Sequence, residues 1–121
     1  MDENCTVFRT VDLIAKRWSI LILLEMHRAG GGPKRFTDLK RGLRGITPKV
    51  LSGRLKELED AGLITKKIVP GVPPRTEYGL TKPGRELMAV IGQFKQWALK
   101  WKVDNPVCEG LACPECGLRS T

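Results

Sequence analysis

The sequence predicts a mainly α-helical α+β fold, a winged helix-turn-helix with a two-stranded β-wing and extra helices at its termini. Apolar residues recur at helical spacing in five segments, and two short β-type segments flank a proline-rich tip at residues 70–74. The predicted order is four helices, a hairpin and a final helix. The 121 residues are enough for one domain with one core.

The first two helices are predicted from their apolar spacing. Thr6 is expected to cap the first helix, whose apolar face includes Val7 and Val11. A second helix from about Trp18 to His27 is apolar nearly all round, so we expect it to be buried. The glycines that follow His27 are expected to end it.

The next two helices are expected to form the helix-turn-helix. A short third helix spans about residues 36–41, and glycines mark the turn after it. Thr47 and Pro48 start the fourth helix, because threonine caps a helix and proline fits its first position. Gly62 suits the left-handed residue just past the end of this helix.

A hairpin and a long helix complete the predicted elements. Residues 63–69 and 75–80 have strand character and enclose the proline-rich tip, so they are expected to pair as a wing. Thr81 then caps a last helix that begins near Pro83 and reaches about Lys102.

Positive charge is concentrated in the middle of the chain. The net charge is +8, and residues 34–75 alone hold 11 Lys and Arg against 4 Asp and Glu. A localised basic block is the expected signature of a protein that binds the phosphate backbone of nucleic acid. The alternative is a solvated basic surface with no such partner.

The fourth helix has two distinct sides. The side expected to face the core carries Val50, Leu51, Leu55 and Leu58. The other side, here called the polar face, consists of Lys49, Ser52, Gly53 and Lys56. Small, polar and cationic side chains suit entry into the major groove, so we predict that the polar face contacts DNA bases.

Gly53 has two interpretations. An exposed glycine inside a helix costs about 1 kcal/mol relative to alanine. It could allow the helix backbone to approach DNA closely, or it could simply be tolerated in a well-packed helix.

Further DNA contacts are predicted around this helix. The Thr47 hydroxyl and the helix N-terminus can meet phosphate, and Arg54, on the flank, is expected to contact phosphate as well. The remaining cationic candidates are Arg35, Lys66, Lys67 and Arg75. For Lys66 and Lys67 the alternative is protection of a strand edge by charge.

The last helix is predicted to form a dimer. Its apolar stripe consists of Leu87, Val90, Ile91, Phe94, Trp97 and Trp101. A two-fold dimer would place two DNA-contacting helices about 34 Å apart, on successive major grooves. The alternative is packing of the whole stripe within one chain.

Several of these segments together resemble the HxlR family of bacterial and archaeal transcriptional regulators. The resemblance is carried by residues 5–14 (CTVFRTVDLI), 16–23 (KRWSILIL), 35–41 (RFTDLKR), 45–59 (GITPKVLSGRLKELE) and 72–84 (VPPRTEYGLTKPG). It implies a dimeric winged helix regulator without catalytic activity. It also implies that Cys5 stands where family members can carry a redox-sensing or electrophile-sensing thiol. Gly53 departs from the larger polar residue usual at that position of the family.

All four cysteines lie near the chain ends. Cys5 is at the start, and the tail carries Cys108, Cys113 and Cys116. Their spacing leaves four alternatives open: a zinc site, a dithiol–disulfide switch, an iron–sulfur cluster, and a tail without a specific role. No cofactor is therefore assigned.

We expect residues 1–103 to form the DNA-binding and dimerisation domain and residues 104–121 to form a separate cysteine-containing tail.

Other functional classes have weaker support. The chain has one histidine, His27, and lacks paired carboxylates, a nucleophile arrangement or a phosphate-binding glycine loop, so no enzyme is predicted. No secretory leader and no apolar run of about 20 residues occurs, so we expect a cytoplasmic protein without membrane contact. The alternative function is a winged helix protein-interaction module with no operator of its own.

Overall fold

The computed structural model describes residues 3–28 and 32–102. It contains α1 (Thr6–Ile14), α2 (Arg17–His27), β1 (Lys34–Arg35), α3 (Phe36–Gly42), α4 (Pro48–Asp60), β2 (Ile64–Val69), β3 (Arg75–Leu80) and α5 (Lys82–Trp101). The predicted winged helix-turn-helix is therefore confirmed in its element order. In the described part of the chain, no helix is both long enough and apolar enough to cross a membrane.

The core is built around α2, as its apolar sequence predicts. Ile22 and Leu23 are completely buried, and Met26 is almost completely buried. Helices α1, α3, α4 and α5 and strand β3 all contact α2. The other core side chains come mainly from α3, the turn after it, α4 and the sheet: Leu39, Leu43, Ile46, Leu51, Leu55, Leu58, Ile64 and Tyr78.

The sheet has one more strand than the sequence predicts. The predicted wing, β2 and β3, pairs in antiparallel register from Ile64 opposite Leu80 to Val69 opposite Arg75. The additional strand β1 pairs with the other edge of β3, giving the order β1-β3-β2. β1 has two residues, which is too short for the alternation that identifies a strand in a sequence.

Local sequence signals set the ends of α4 and the start of α5. The Thr47 hydroxyl accepts a hydrogen bond from the Val50 N–H at 3.2 Å, so the predicted cap of α4 is confirmed. Gly62 has φ +79°, the left-handed conformation expected past the end of this helix. The Thr81 hydroxyl accepts from the Gly84 N–H and donates to the Gly62 carbonyl. One side chain thus joins the end of α4 to the start of α5.

The predicted cap of α1 is one residue out of place. Cys5, not Thr6, is the N-cap, because its backbone is extended and its carbonyl accepts the first helical hydrogen bond, from the Arg9 N–H. Thr6 is already helical, and its carbonyl accepts a hydrogen bond from the Thr10 hydroxyl. The Cys5 side chain makes no capping hydrogen bond.

Two glycine-to-alanine substitutions should have opposite effects on stability. A Cβ at Gly84 would collide with the backbone carbonyl of Leu63, which cannot move independently, whereas a Cβ at Gly53 meets nothing within 4 Å. We expect Gly84→Ala to lower the free energy of unfolding by about 1–3 kcal/mol and Gly53→Ala to raise it by up to about 1 kcal/mol. Urea denaturation of both variants measures this. An equal change in the free energy of unfolding in the two variants would contradict the close packing of Gly84 against Leu63.

Candidate nucleic-acid interface

The polar face of α4 is open to solvent. Lys49, Ser52, Gly53 and Lys56 are all exposed, while Leu51, Leu55 and Leu58 on the opposite side are buried. Helical periodicity makes this division necessary, because a helix that buries one side must present the other. The exposed polar face begins in the first turn of the helix, with Lys49, and the N-cap residue Thr47 is also exposed. Small, polar and cationic side chains on an open helix face are the chemistry that suits a DNA groove.

Arg54 is placed differently from the other cationic candidates. It is half-buried on the flank of α4, and its Nη1 lies 3.1 Å from Glu57 Oε1. The other carboxylate oxygen of Glu57 lies 3.0 Å from Lys16 Nζ, at the start of α2. The sequence gives no sign of the Lys16–Glu57 pair, because 41 residues separate its members.

The sheet brings three of the predicted cations together around one carboxylate. Glu77 on β3 is opposite Arg35 of β1 and opposite Lys67 of β2. Arg75 lies two residues before Glu77, on the same face of the strand, with its Nε 3.5 Å from Glu77 Oε2. Strand β1, which the sequence does not predict, therefore places Arg35 in the same row as the wing cations.

Lys66 lies on the other face of the hairpin from Lys67, because neighbouring residues of a strand alternate. Its partner in the register is Tyr78, which is buried. Burial raises the pKa of Tyr78, and the negative charge of Glu59 raises it further. Since β2 is an edge strand, edge protection by Lys66 and Lys67 remains an alternative to DNA contact.

A second group of cations lies beside the helix-turn-helix. Lys34, Arg41 and Arg44 line an open cleft of about 510 Å³, together with Pro33, Asp38 and Gly42. The Asp38 carboxylate accepts a hydrogen bond from the Arg35 N–H at 3.0 Å, which ties it to the start of α3. These cations were not among the predicted contacts, although they belong to the basic block of the sequence.

The two terminal helices expose large apolar side chains. No residue of α1 is buried, and Val7 and Val11 are 62% and 49% exposed. On α5, Val90, Phe94, Trp97 and Trp101 are between 53% and 67% exposed. The other two members of the predicted stripe point inward: Ile91 is buried, and Leu87 packs against the core. The predicted dimer surface is thus reduced to the four exposed residues of α5.

Cys5 is the cysteine that the structure describes. It is a free thiol, half-buried at the N-cap of α1. Cys108, Cys113 and Cys116 lie outside the described residues. Within residues 3–28 and 32–102, no group of three or more His, Cys, Asp or Glu side chains could hold a metal ion.

Comparison with known proteins agrees with this architecture. The model of the family described as HxlR-like helix-turn-helix matches residues 13–105. The chain belongs to this family. A relative in Bacillus subtilis, the HTH-type transcriptional regulator YvaP, is 37% identical over 100 residues, which cover 82% of this chain and 90% of YvaP. The chain is therefore a transcriptional regulator of the helix-turn-helix type.

Solved structures share the fold over most of its length. A MarR-family transcriptional regulator from Porphyromonas gingivalis W83 has a TM-score of 0.73 and 36% identity, covering 84% of this chain and 96% of its own. The redox regulator HypR, in its oxidised form, has a TM-score of 0.67 and 34% identity. That match covers 82% of this chain and 99% of HypR. The chain thus shares its fold with a redox regulator whose structure was solved in an oxidised form.

Proposed function

We propose that this HxlR-type protein is a sequence-specific DNA-binding regulator that acts as a homodimer in the cytoplasm and has no enzymatic activity. The observation that carries the proposal is the exposed polar face of α4. This helix follows the short turn after α3, and the side opposite its polar face is apolar and buried in the core. A rigid helix with small, polar and cationic residues on its open side is suited to contact base edges.

The candidate residues divide into two roles. The polar face of α4, with Lys49 and Lys56 at its centre, would contact bases in the major groove. Thr47 and the helix N-terminus would meet phosphate. The remaining cations, Arg35, Lys66, Lys67 and Arg75, would contact the backbone on either side of the groove, which positions the protein without selecting a sequence.

Dimerisation is supported by the apolar surface of the terminal helices. Exposed Phe94, Trp97 and Trp101 on one helix form a large apolar patch, and such patches on small proteins mark association surfaces. Pairing through a two-fold axis would cover them and orient two copies of α4 toward one duplex. A dimer also doubles the number of base contacts available to recognise an operator.

A thiol switch is the regulation that we propose for this dimer. Cys5 lies at the start of α1, the helix whose exposed Val7 and Val11 would adjoin the association surface. Oxidation of Cys5, alone or with a tail cysteine, would change the packing of α1 and thereby the spacing of the two DNA-contacting helices. The redox regulator HypR, which has the same fold, provides the precedent.

Substitutions should separate base contacts from phosphate contacts. A duplex selected from a random pool by the wild-type protein serves as the operator, and an unrelated duplex serves as the reference. We expect Lys49→Ala and Lys56→Ala to weaken operator binding by roughly 5- to 100-fold with a smaller effect on the reference duplex. Lys67→Ala and Arg75→Ala should weaken both duplexes by a similar factor.

Fluorescence anisotropy measures these affinities, and Lys82→Ala is the matched control. It removes one exposed charge from the start of α5, outside the candidate interface. Unchanged binding in all four test variants would mean that the DNA-contacting surface lies elsewhere. Salt-independent binding by the wild type would favour the alternative of a protein-interaction module.

The dimer can be tested with two side chains of equal exposure. Phe94 on α5 is 67% exposed and Ile68 on the wing is 66% exposed. We expect Phe94→Gln to halve the mass measured by light scattering and to weaken operator binding, because the association surface loses an apolar contact. Ile68→Gln should keep the wild-type mass. A wild-type protein with the mass of a single chain would contradict the proposal.

The thiol switch predicts a response that depends on Cys5. Treatment with a thiol oxidant should change operator affinity in the wild type and leave Cys5→Ser unaffected. A variant with serine at all three tail positions shows whether Cys5 needs a tail partner, and non-reducing gels identify any disulfide. Metal analysis of protein purified without added metal tests the zinc and iron–sulfur alternatives. Four freely titrating thiols and an unchanged affinity after oxidation would refute the switch.

A further inference from the structure

Glu57 holds two cations at once, on the flank of the helix that is proposed to contact DNA. Its Oε2 lies 3.0 Å from Lys16 Nζ and its Oε1 lies 3.1 Å from Arg54 Nη1. The side chains of Lys16, Glu57 and Arg54 are 42%, 39% and 28% exposed. Solvent and ligands can therefore reach all three, and both carboxylate oxygens are engaged.

The position of Glu57 on α4 places it between the polar face and Arg54. Residues of an α-helix are about 100° apart, so Glu57 lies about 80° from Lys49 on one side and Glu59 about 80° on the other. Arg54 lies further round on the side of Glu57, about 140° from Lys49. Two carboxylates thus flank the polar face at equal angles. Of these two, Glu57 is ion-paired with cations, and Glu59 has no ion pair among the described residues.

Arg54 has unused hydrogen-bonding capacity. The structure gives its guanidinium a single ion pair, through Nη1, and its buried Nε has no hydrogen-bond partner among the described residues. A guanidinium carries five N–H donors, and phosphate is one of the acceptors that it binds best. Arg54 is therefore a cation next to the candidate interface that is held by a carboxylate and could instead bind phosphate.

We propose that Glu57 withholds Lys16 and Arg54 from DNA phosphates and thereby limits the sequence-independent affinity of the protein. This inference rests on the proposed DNA-binding function and assigns to Glu57 a role in specificity. Contacts to phosphate strengthen binding to every sequence, whereas base contacts strengthen binding to the operator alone. A carboxylate that pairs with two cations lowers the contribution of phosphate contacts and does not change that of base contacts. It therefore raises the ratio of operator to non-operator affinity.

The test compares Glu57→Gln with Glu59→Gln, which removes the same charge at the mirror position of the helix. Binding to an unrelated duplex is measured by fluorescence anisotropy between 50 and 300 mM salt, roughly the range in which phosphate contacts dominate. Each phosphate neutralised steepens the slope of log K against log salt by about 0.9. We expect Glu57→Gln to steepen the slope by about 1 to 2, and Glu59→Gln to leave the slope at its wild-type value.

Double variants identify which released cation makes the new contact. Adding Arg54→Gln or Lys16→Gln to Glu57→Gln should each return part of the added slope. Equal slopes for Glu57→Gln and Glu59→Gln would overturn the inference while leaving the proposed function intact. A wild-type protein without salt-dependent binding to any duplex would instead refute the proposed function itself.

Single variants in the wild-type background test the inference even if Glu57→Gln does not fold. While Glu57 holds Arg54 and Lys16, neither cation contacts phosphate, so Arg54→Gln and Lys16→Gln should keep the wild-type slope. A slope that becomes shallower by about 0.9 in either variant would mean that the cation already contacts phosphate. That result would overturn the inference and support the phosphate contact predicted for Arg54 from the sequence.

Discussion

The packing of α4 against the core is the constraint on which the rest of the structure depends. Leu51, Leu55 and Leu58 are buried, and α4 contacts α2 along this side. Burial of each leucine contributes about 1.5–3 kcal/mol, whereas an exposed ion pair contributes about 0–1 kcal/mol. The apolar side therefore decides how α4 is rotated, and the polar face is exposed as a consequence. Ion pairs such as Lys16–Glu57 can adjust the charge at its edge without turning the helix.

The described part of the chain does not cover all of its own apolar surface. Helix α1 has no buried residue, and α5 contributes Ile91 to the interior while it exposes Phe94, Trp97 and Trp101. In a small domain the apolar side chains of both terminal helices cannot all reach one core. The proposed dimer would cover this exposed apolar surface. DNA recognition would then depend on association between two copies of the chain.

Carboxylates balance the basic block at defined places. Glu77 lies between Arg35 and Lys67 in the register of the sheet and also contacts Arg75. Glu57 engages Lys16 and Arg54 on the flank of α4. In the part of the chain that the structure describes, Lys49 and Lys56 of the polar face have no ion pair with a carboxylate. The number of Lys and Arg residues in the block thus overstates the number of cations that are free to meet phosphate.

The sequence by itself determined the elements whose signals lie within a few residues of one another. Thr47, Gly62 and Thr81 act on backbone groups nearby, and the leucine spacing of α4 depends on helical periodicity alone. Such signals need no knowledge of the path of the chain. They were enough to predict the winged helix order and both sides of α4.

Only the tertiary structure decided which distant residues meet. The pairing of β1 with β3 moves Arg35 into the row of wing cations, and the approach of α2 to α4 joins Lys16 to Glu57. The inward position of Ile91 and the exposure of Phe94 likewise depend on where α5 crosses the core. Contacts across 41 residues follow from how the elements pack, and no local pattern of residues encodes them.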